Sequence, residues 1–304
     1  MPDADPIMQP DTPVGIIGLG LMGSALSGRL IAAKVPVIGF DIEAARCAAL
    51  TAQGGMVATS LRELAGRSRT IIVAVYSGEQ IEALFDELAN GAGAARPVMV
   101  CTTTCTPDEM IRLSQRAMNA RLPLVEAPIS GTSAEVRDGT AMALLAGETG
   151  AIDCVSALLD ILCPRHLRVG AIGDASRTKL AINLILQNNR AALAEGIAFA
   201  ESLGLDGRAF LAAARQSAAC SRVMETKGEK MLARDFRPQS HISQTLKDAE
   251  LILAEAKRRG LVLPVTAAQA GLLRRAIAIA GPDSDSAAVI EAIRLRPAPS
   301  EVIG

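Results

Sequence analysis

A chain of 304 residues is long enough for one large domain or two ordinary ones, each with a sizeable core. Half of it is hydrophobic but only 2% is aromatic and Trp is absent, so the core must be built from Ala, Leu, Ile and Val, a mix suited to helices and buried parallel strands. With a net charge of −1 and Lys and Arg scattered among Asp and Glu, no nucleic acid or other polyanion is expected as a partner.

Residues 1–12 are expected to form a flexible tail. Pro2, Pro6 and Pro10 stand among three Asp with no Lys or Arg, which is not the basic start and apolar middle of a signal peptide. From Val14 to about Gly170, short apolar runs (VGIIGLG, PVIGFD, TIIVAV, PVMVCT, LPLVEAP) each precede a helix-like stretch. Such alternation predicts a parallel sheet wrapped by helices, and AMALLAG and HLRVGAIG are candidates for further strands. After Gly173 the strand-like runs stop and Ala-rich and Leu-rich segments with helical periodicity follow. The expected organisation is α/β: a dinucleotide-binding domain over 13–173 and an all-helical domain over 174–304, joined by a long helix. Asp174 or Ser176 is the expected N-cap of that helix, which runs through Lys179 and Asn183 to about Leu203, with Gly204 as its stop. No uncharged apolar stretch reaches the length of about 18 residues that a membrane span requires, so a soluble protein is expected.

The cofactor signal lies at the first strand. Gly18, Gly20 and Gly23 have GxGxxG spacing within Gly18-Leu19-Gly20-Leu21-Met22-Gly23, after an apolar strand and before a helical run. The first glycine suits a tight turn, the second lets a pyrophosphate approach, and the third lets helix pack on strand, with the helix N-terminus facing the phosphate charge. Asp41 ends the second strand at about the distance where a carboxylate binds the adenosine ribose. Because that carboxylate repels a 2′-phosphate, NAD is expected over NADP, which stays the alternative through Arg46.

Four segments together resemble the β-hydroxyacid dehydrogenase family: GLGLMG from Gly18, EAPISGTSAEVRDGT from Glu126, GDASRTKLAIN from Gly173, and LKDAEL from Leu246. The likeness covers nearly the whole chain after the tail. It implies a Rossmann-type domain followed by an all-α domain, and hydride transfer between NAD(P) and a small 3-hydroxy acid or the matching semialdehyde. Lys179 stands at the catalytic Lys and Asn183 at the substrate-binding Asn. Ser130, Gly131 and Thr132 occupy the substrate-binding turn, Val75 and Thr104 the strand ends that contact the dinucleotide, and Lys247 the Lys that closes over the cofactor. A homodimer or homotetramer through the helical domain is implied as well.

The residues agree with this chemistry. Lys179 and Asn183, four apart, project from one helix face. Oxidising an alcohol by hydride transfer requires a group to take the hydroxyl proton, and burial beside an oxidised nicotinamide would bring a Lys into the useful range. Thr132 replaces the family's usual second Gly, Ala175 stands where a second Gly is common, and Ser240, His241 and Gln244 replace less polar residues. His241 is therefore a candidate substrate contact, and a polyhydroxylated or otherwise polar acid, of the tartronate or threonate type, is favoured. His166 is read as structural. No His, Cys or carboxylate cluster has metal-ligand spacing, so no metal is expected. The six scattered cysteines, without a CxxC pair, read as reduced cytoplasmic thiols. Two alternatives stand beside this reading: an imine reductase of related architecture, which usually lacks Lys at the catalytic position, and a non-catalytic dinucleotide-binding protein.

Overall fold

The computed structural model describes residues 12–93 and 96–294, so the expected tail over 1–12 lies outside the described residues apart from Thr12. The chain divides into two compact units, Met1–Lys179 and Leu180–Gly304, and the division falls within the helix Asp174–Ser202. An α/β unit with a Rossmann-type sheet is followed by an all-helical one, as the sequence predicts.

Among the described residues the first unit carries nine strands: β1 (Val14–Ile17), β2 (Val37–Phe40), β3 (Met56–Val57), β4 (Thr70–Val73), β5 (Val98–Cys101), β6 (Leu124–Glu126), β7 (Ile129–Ser130), β8 (Met142–Ala146) and β9 (Arg165–Gly170). Their order across the sheet is β3-β2-β1-β4-β5-β6-β8-β7, with β9 also on β8. Pairing is parallel from β3 through β6 and between β8 and β9, and antiparallel where β8 meets β6 and β7. Alternate residues enter two cores: Ile16, Ile72, Val98 and Val100 face one, and Ile17, Ile71, Val73, Met99 and Cys101 the other. Burial on both faces is why these strands read as continuous apolar runs. The two-residue strands β3 and β7 escape a sequence reading because they are too short to show a period. Strand order reverses between β1 and β4, and in a doubly wound sheet the crevice at the carboxyl ends of such strands is where ligands bind.

The second unit is built of helices. Gly207–Arg215, Arg222–Ala233, Ile242–Arg258 and Pro264–Ala280 pack Leu211, Met231, Ile242, Leu273 and many alanines against Ile197 of the long helix. That helix ends at Ser202, where Gly204, with a φ of +80°, lets the chain turn back so that the Leu205 N–H reaches the Ala200 carbonyl at 3.0 Å. One ion pair is sealed inside the unit: Lys227 Nζ donates to both oxygens of Asp285, at 2.8 and 2.9 Å. Asp285 also accepts from the N–H groups of Gln239 (2.8 Å), Ser240 (3.3 Å) and Ala287 (2.9 Å), which pins the segment leading into the helix Ile242–Arg258. Burial pushes the Lys227 ammonium down to about 8 against the pull of Asp285.

Candidate active site

At the sheet's switch point each glycine of the first loop has a separate duty. Gly18 adopts a φ of +86°, and a Cβ there would lie 2.6 Å from the Ala74 carbonyl oxygen. A Cβ at Gly23 would lie 1.8 Å from the Gly18 carbonyl oxygen, so only glycine lets the helix Leu21–Ala32 begin this close to the turn. Before Gly20, by contrast, a Cβ would meet nothing within 4 Å. Gly20 is the N-cap of that helix, and no side chain caps it. The result is a helix N-terminus with its N–H groups turned to open space, which fits a dinucleotide pyrophosphate.

Asp41, at the end of β2, is anchored to the same loop. Its Oδ2 accepts from Leu19 N–H at 2.6 Å and its Oδ1 from Glu43 N–H at 2.9 Å, while Arg46 Nη1 stands 3.3 Å from each oxygen. Two of roughly four acceptor positions are thus taken by backbone, and the rest remain for Arg46 or for a ribose hydroxyl. Beyond β4 and β5, hydroxyls fasten the strand ends together: Thr102 Oγ1 donates to the Val73 carbonyl at 3.0 Å and Thr103 Oγ1 to the Val75 carbonyl at 2.9 Å. Thr103, which the sequence reading passed over for Thr104, is buried, whereas Thr104 is half-buried. The TTT run was the available signal. Its middle member works on the fold.

Ser130 closes β7, and Gly131 follows with a φ of +147°. Thr132 is the N-cap of the helix Ser133–Arg137 in a capping box with Glu135: its hydroxyl accepts from Glu135 N–H at 3.2 Å, and its own N–H donates to Glu135 Oε2 at 2.8 Å. A ligand contact from Thr132 therefore competes with the cap. The Thr-x-x-Glu pattern announced this device in the sequence.

Glu126, at the end of β6, is the residue that the sequence reading left without a role. It is 1% exposed, and its carboxylate receives the first turn of the long helix: Gly173 N–H at 2.7 Å, Ser176 N–H at 2.6 Å, and the Ser176 hydroxyl. Burial raises its carboxyl above the ordinary range, against the pull of these hydrogen bonds. The cap expected from Asp174 or Ser176 comes instead from a strand; Ser176 is one of its donors, and Asp174 accepts from Ala171 N–H at 2.9 Å. A carboxylate at the positive end of a helix is well placed electrostatically. It fixes the turn that precedes Lys179.

Lys179 is 5% exposed and Asn183, one turn later, is also buried. In the second unit, Asn183 Nδ2 donates to Asp248 Oδ2 at 3.0 Å, which orients the amide. Lys247 Nζ stands 3.6 Å from Asp248 Oδ1. His241 is the N-cap residue of the helix Ile242–Arg258; its Nδ1 is 2.9 Å from the Asp283 carbonyl, so the ring donates there and presents only Nε2 elsewhere. His166 Nδ1 meets the Cys163 carbonyl at 3.0 Å. The six cysteines are free thiols, and no described helix is long and apolar enough to cross a membrane.

Comparison with known proteins covers almost the whole chain. Residues 13–170 match the NAD binding domain of 6-phosphogluconate dehydrogenase, and residues 173–293 match the NAD-binding family of NADP-dependent 3-hydroxyisobutyrate dehydrogenase. The chain is 29% identical to 2-hydroxy-3-oxopropionate reductase of Escherichia coli over 93% of its own length and 97% of that protein's. It is 27% identical to L-threonate dehydrogenase of Cupriavidus necator, over 91% and 95% respectively. Its fold is similar to that of a 3-hydroxyisobutyrate dehydrogenase structure from Salmonella typhimurium, with a TM-score of 0.84 at 24% identity, covering 92% of this chain and 99% of that one.

Proposed function

Because the chain belongs to the β-hydroxyacid dehydrogenase family and is an NAD(P)-dependent oxidoreductase, we propose that it interconverts a small polar 3-hydroxy acid and the matching semialdehyde, with Lys179 as the proton-transfer group. The observation that carries this reading is a buried Lys179 on a helix whose first turn is held by Glu126 and whose same face presents Asn183. When bound, the nicotinamide supplies the hydride acceptor or donor. In this reading the loop Gly18–Gly23, including Leu19, Leu21 and Met22, holds the pyrophosphate on backbone N–H groups. Asp41 binds the adenosine ribose, and Val75, Thr104 and Lys247 line the rest of the dinucleotide. Ser130 and Gly131 receive the substrate carboxylate, with Thr132 shaping the turn, and His241 offers Nε2 to a polar substituent. Asn183, its amide oriented by Asp248, holds the reacting oxygen. Lys179 takes the hydroxyl proton during oxidation and returns it during reduction.

The test is absorbance at 340 nm with NAD or NADP against a panel of 3-hydroxy acids such as glycerate, threonate and 3-hydroxyisobutyrate. Turnover with a polar acid is the expected result, and no turnover despite cofactor binding would remove the substrate class. In this reading the Asp41 carboxylate lies where a 2′-phosphate would sit, so kcat/KM with NAD should exceed that with NADP by about tenfold or more. A preference for NADP would overturn the role given to Asp41.

The second unit exposes Ile185, Phe199, Leu203, Leu205, Leu261, Val262 and Val265. This supports a homodimer or homotetramer assembled through that unit. Light scattering at micromolar concentration should return a mass of at least two chains, and a monomer would sink the proposal. The free thiols suit a reducing, cytoplasmic setting.

A further inference from the structure

Between the helices Arg222–Ala233 and Ile242–Arg258 the chain runs through a connection that ends in Gln239, Ser240 and His241. A buried charge pair sets its course. Lys227 is 1% exposed and Asp285 0%, and burying two charges costs solvation that their attraction alone need not repay. What else the pair holds is therefore informative.

The three donors of the ammonium go to both Asp285 oxygens, at 2.8 and 2.9 Å, and to Ser240 Oγ at 3.4 Å. The same carboxylate gathers the N–H groups of Gln239, Ser240 and Ala287, and Ser240 Oγ also meets Ser286 Oγ at 2.9 Å. Three stretches of chain thus converge on one carboxylate: the helix bearing Lys227, the connection 239–241 and the turn 285–287. Backbone pairing completes the frame. His241 stands opposite Asp285 in an antiparallel bridge, Ser286 N–H donates to the Ser240 carbonyl at 3.0 Å, and Ile242 N–H donates to the Ser284 carbonyl at 2.8 Å.

The His241 ring is fastened to this frame through Nδ1, 2.9 Å from the Asp283 carbonyl. A neutral imidazole that donates through Nδ1 carries a lone pair on Nε2. The nitrogen it presents accepts from a hydroxyl and has nothing to offer a methyl group.

We infer that Lys227 is a positioning residue for substrate selection: by clamping Asp285 onto the segment 239–241 it sets the aim of His241 Nε2, and so favours acids that carry a second hydroxyl. This rests on the reading of His241 as a substrate contact. Lys227 itself touches no substrate.

Glycerate and 3-hydroxyisobutyrate are the probes, since one carries a hydroxyl on C2 where the other carries a methyl. Lys227→Met, which keeps an apolar stem without the ammonium, should lower the ratio of kcat/KM for glycerate to that for 3-hydroxyisobutyrate by about fivefold, the usual worth of one hydrogen bond. His241→Ala should lower the ratio as far, and the double variant no further, because both changes remove the same contact. A purely structural role for the ion pair would slow both acids alike. An unchanged ratio in Lys227→Met beside a lowered one in His241→Ala, or additive losses in the double variant, would overturn the inference.

NMR of the imidazole nitrogens gives a readout without turnover, and with two histidines in the chain the spectrum is simple. At a pH of about 7.5, above the ordinary imidazole range, wild-type His241 should be protonated on Nδ1, and Lys227→Met should shift it toward mixed tautomers. His166, whose Nδ1 lies 3.0 Å from the Cys163 carbonyl, is the internal control and should not change. Should the Met variant not fold, Lys227→Gln, which keeps an N–H donor for Asp285 without the charge, is read by the same ratio and the same spectrum. An unchanged His241 spectrum in the folded variant overturns the positioning role. A shifted spectrum beside a wild-type ratio in His241→Ala upholds it and removes only the contact assigned to His241, and a shifted spectrum with no hydroxy acid turned over removes only the dehydrogenase reading.

Discussion

Replacing Lys179 by alanine is expected to lower kcat for the hydroxy acid by about 100-fold or more, the usual worth of a positioned general acid-base group. Cofactor affinity should stay close to wild type. The argument begins with burial: an ammonium on a side chain only 5% exposed is held against a desolvation cost that an ordinary surface lysine never meets. Position follows from Glu126, which takes the Gly173 and Ser176 N–H groups and so fixes the turn directly before Lys179. Lys179→Arg should not rescue activity, because a guanidinium does not give up its proton in the accessible range. Steady-state kinetics at saturating NAD and substrate, with NAD binding followed by fluorescence, separates the two effects. Activity within about threefold of wild type in Lys179→Ala would leave the fold intact and refute the proton-transfer role.

How far such a site can be read from sequence depends on how local its determinants are. The loop from Gly18 to Gly23 was legible because its constraints, a positive φ at Gly18 and close approach at Gly23, act within a few residues of each other. The parallel strands were legible because burial on both faces leaves unbroken apolar runs. Glu126 was not, since it accepts from a turn 47 residues later, and only the folded sheet brings β6 to that turn. Thr132 is a different case: its capping box was written in the Thr-x-x-Glu spacing, but the resemblance to a substrate-binding turn drew attention away from it. Gln187 and Arg190 were hidden by chemistry that normally marks a solvated helix face. Only the packing of the second unit shows that this face is interior.

Lys227→Met should be the most destabilising single change in the helical unit, at about 3–5 kcal/mol, because it strands the Asp285 carboxylate in a site that is 0% exposed. The lost attraction is the smaller part; the larger is a buried charge whose best counter-ion has gone, leaving Arg190 as partial compensation. The pH dependence gives the mechanism away. In wild type, burial by itself would raise the Asp285 carboxyl, but the Lys227 ammonium and the backbone hydrogen bonds outweigh it and hold the group below its ordinary value. Its contribution to stability is therefore present above a pH of about 4 and lost as pH falls through the folded-state value. Without Lys227 the balance reverses, burial raises the carboxyl, and the variant regains stability as pH falls toward the ordinary carboxylate range. The gap between wild type and Lys227→Met should thus be widest near neutrality and narrow below a pH of about 5, as measured by calorimetric unfolding across pH. A gap that stays constant over that range would show that the loss comes from packing of the lysine stem and not from the stranded carboxylate.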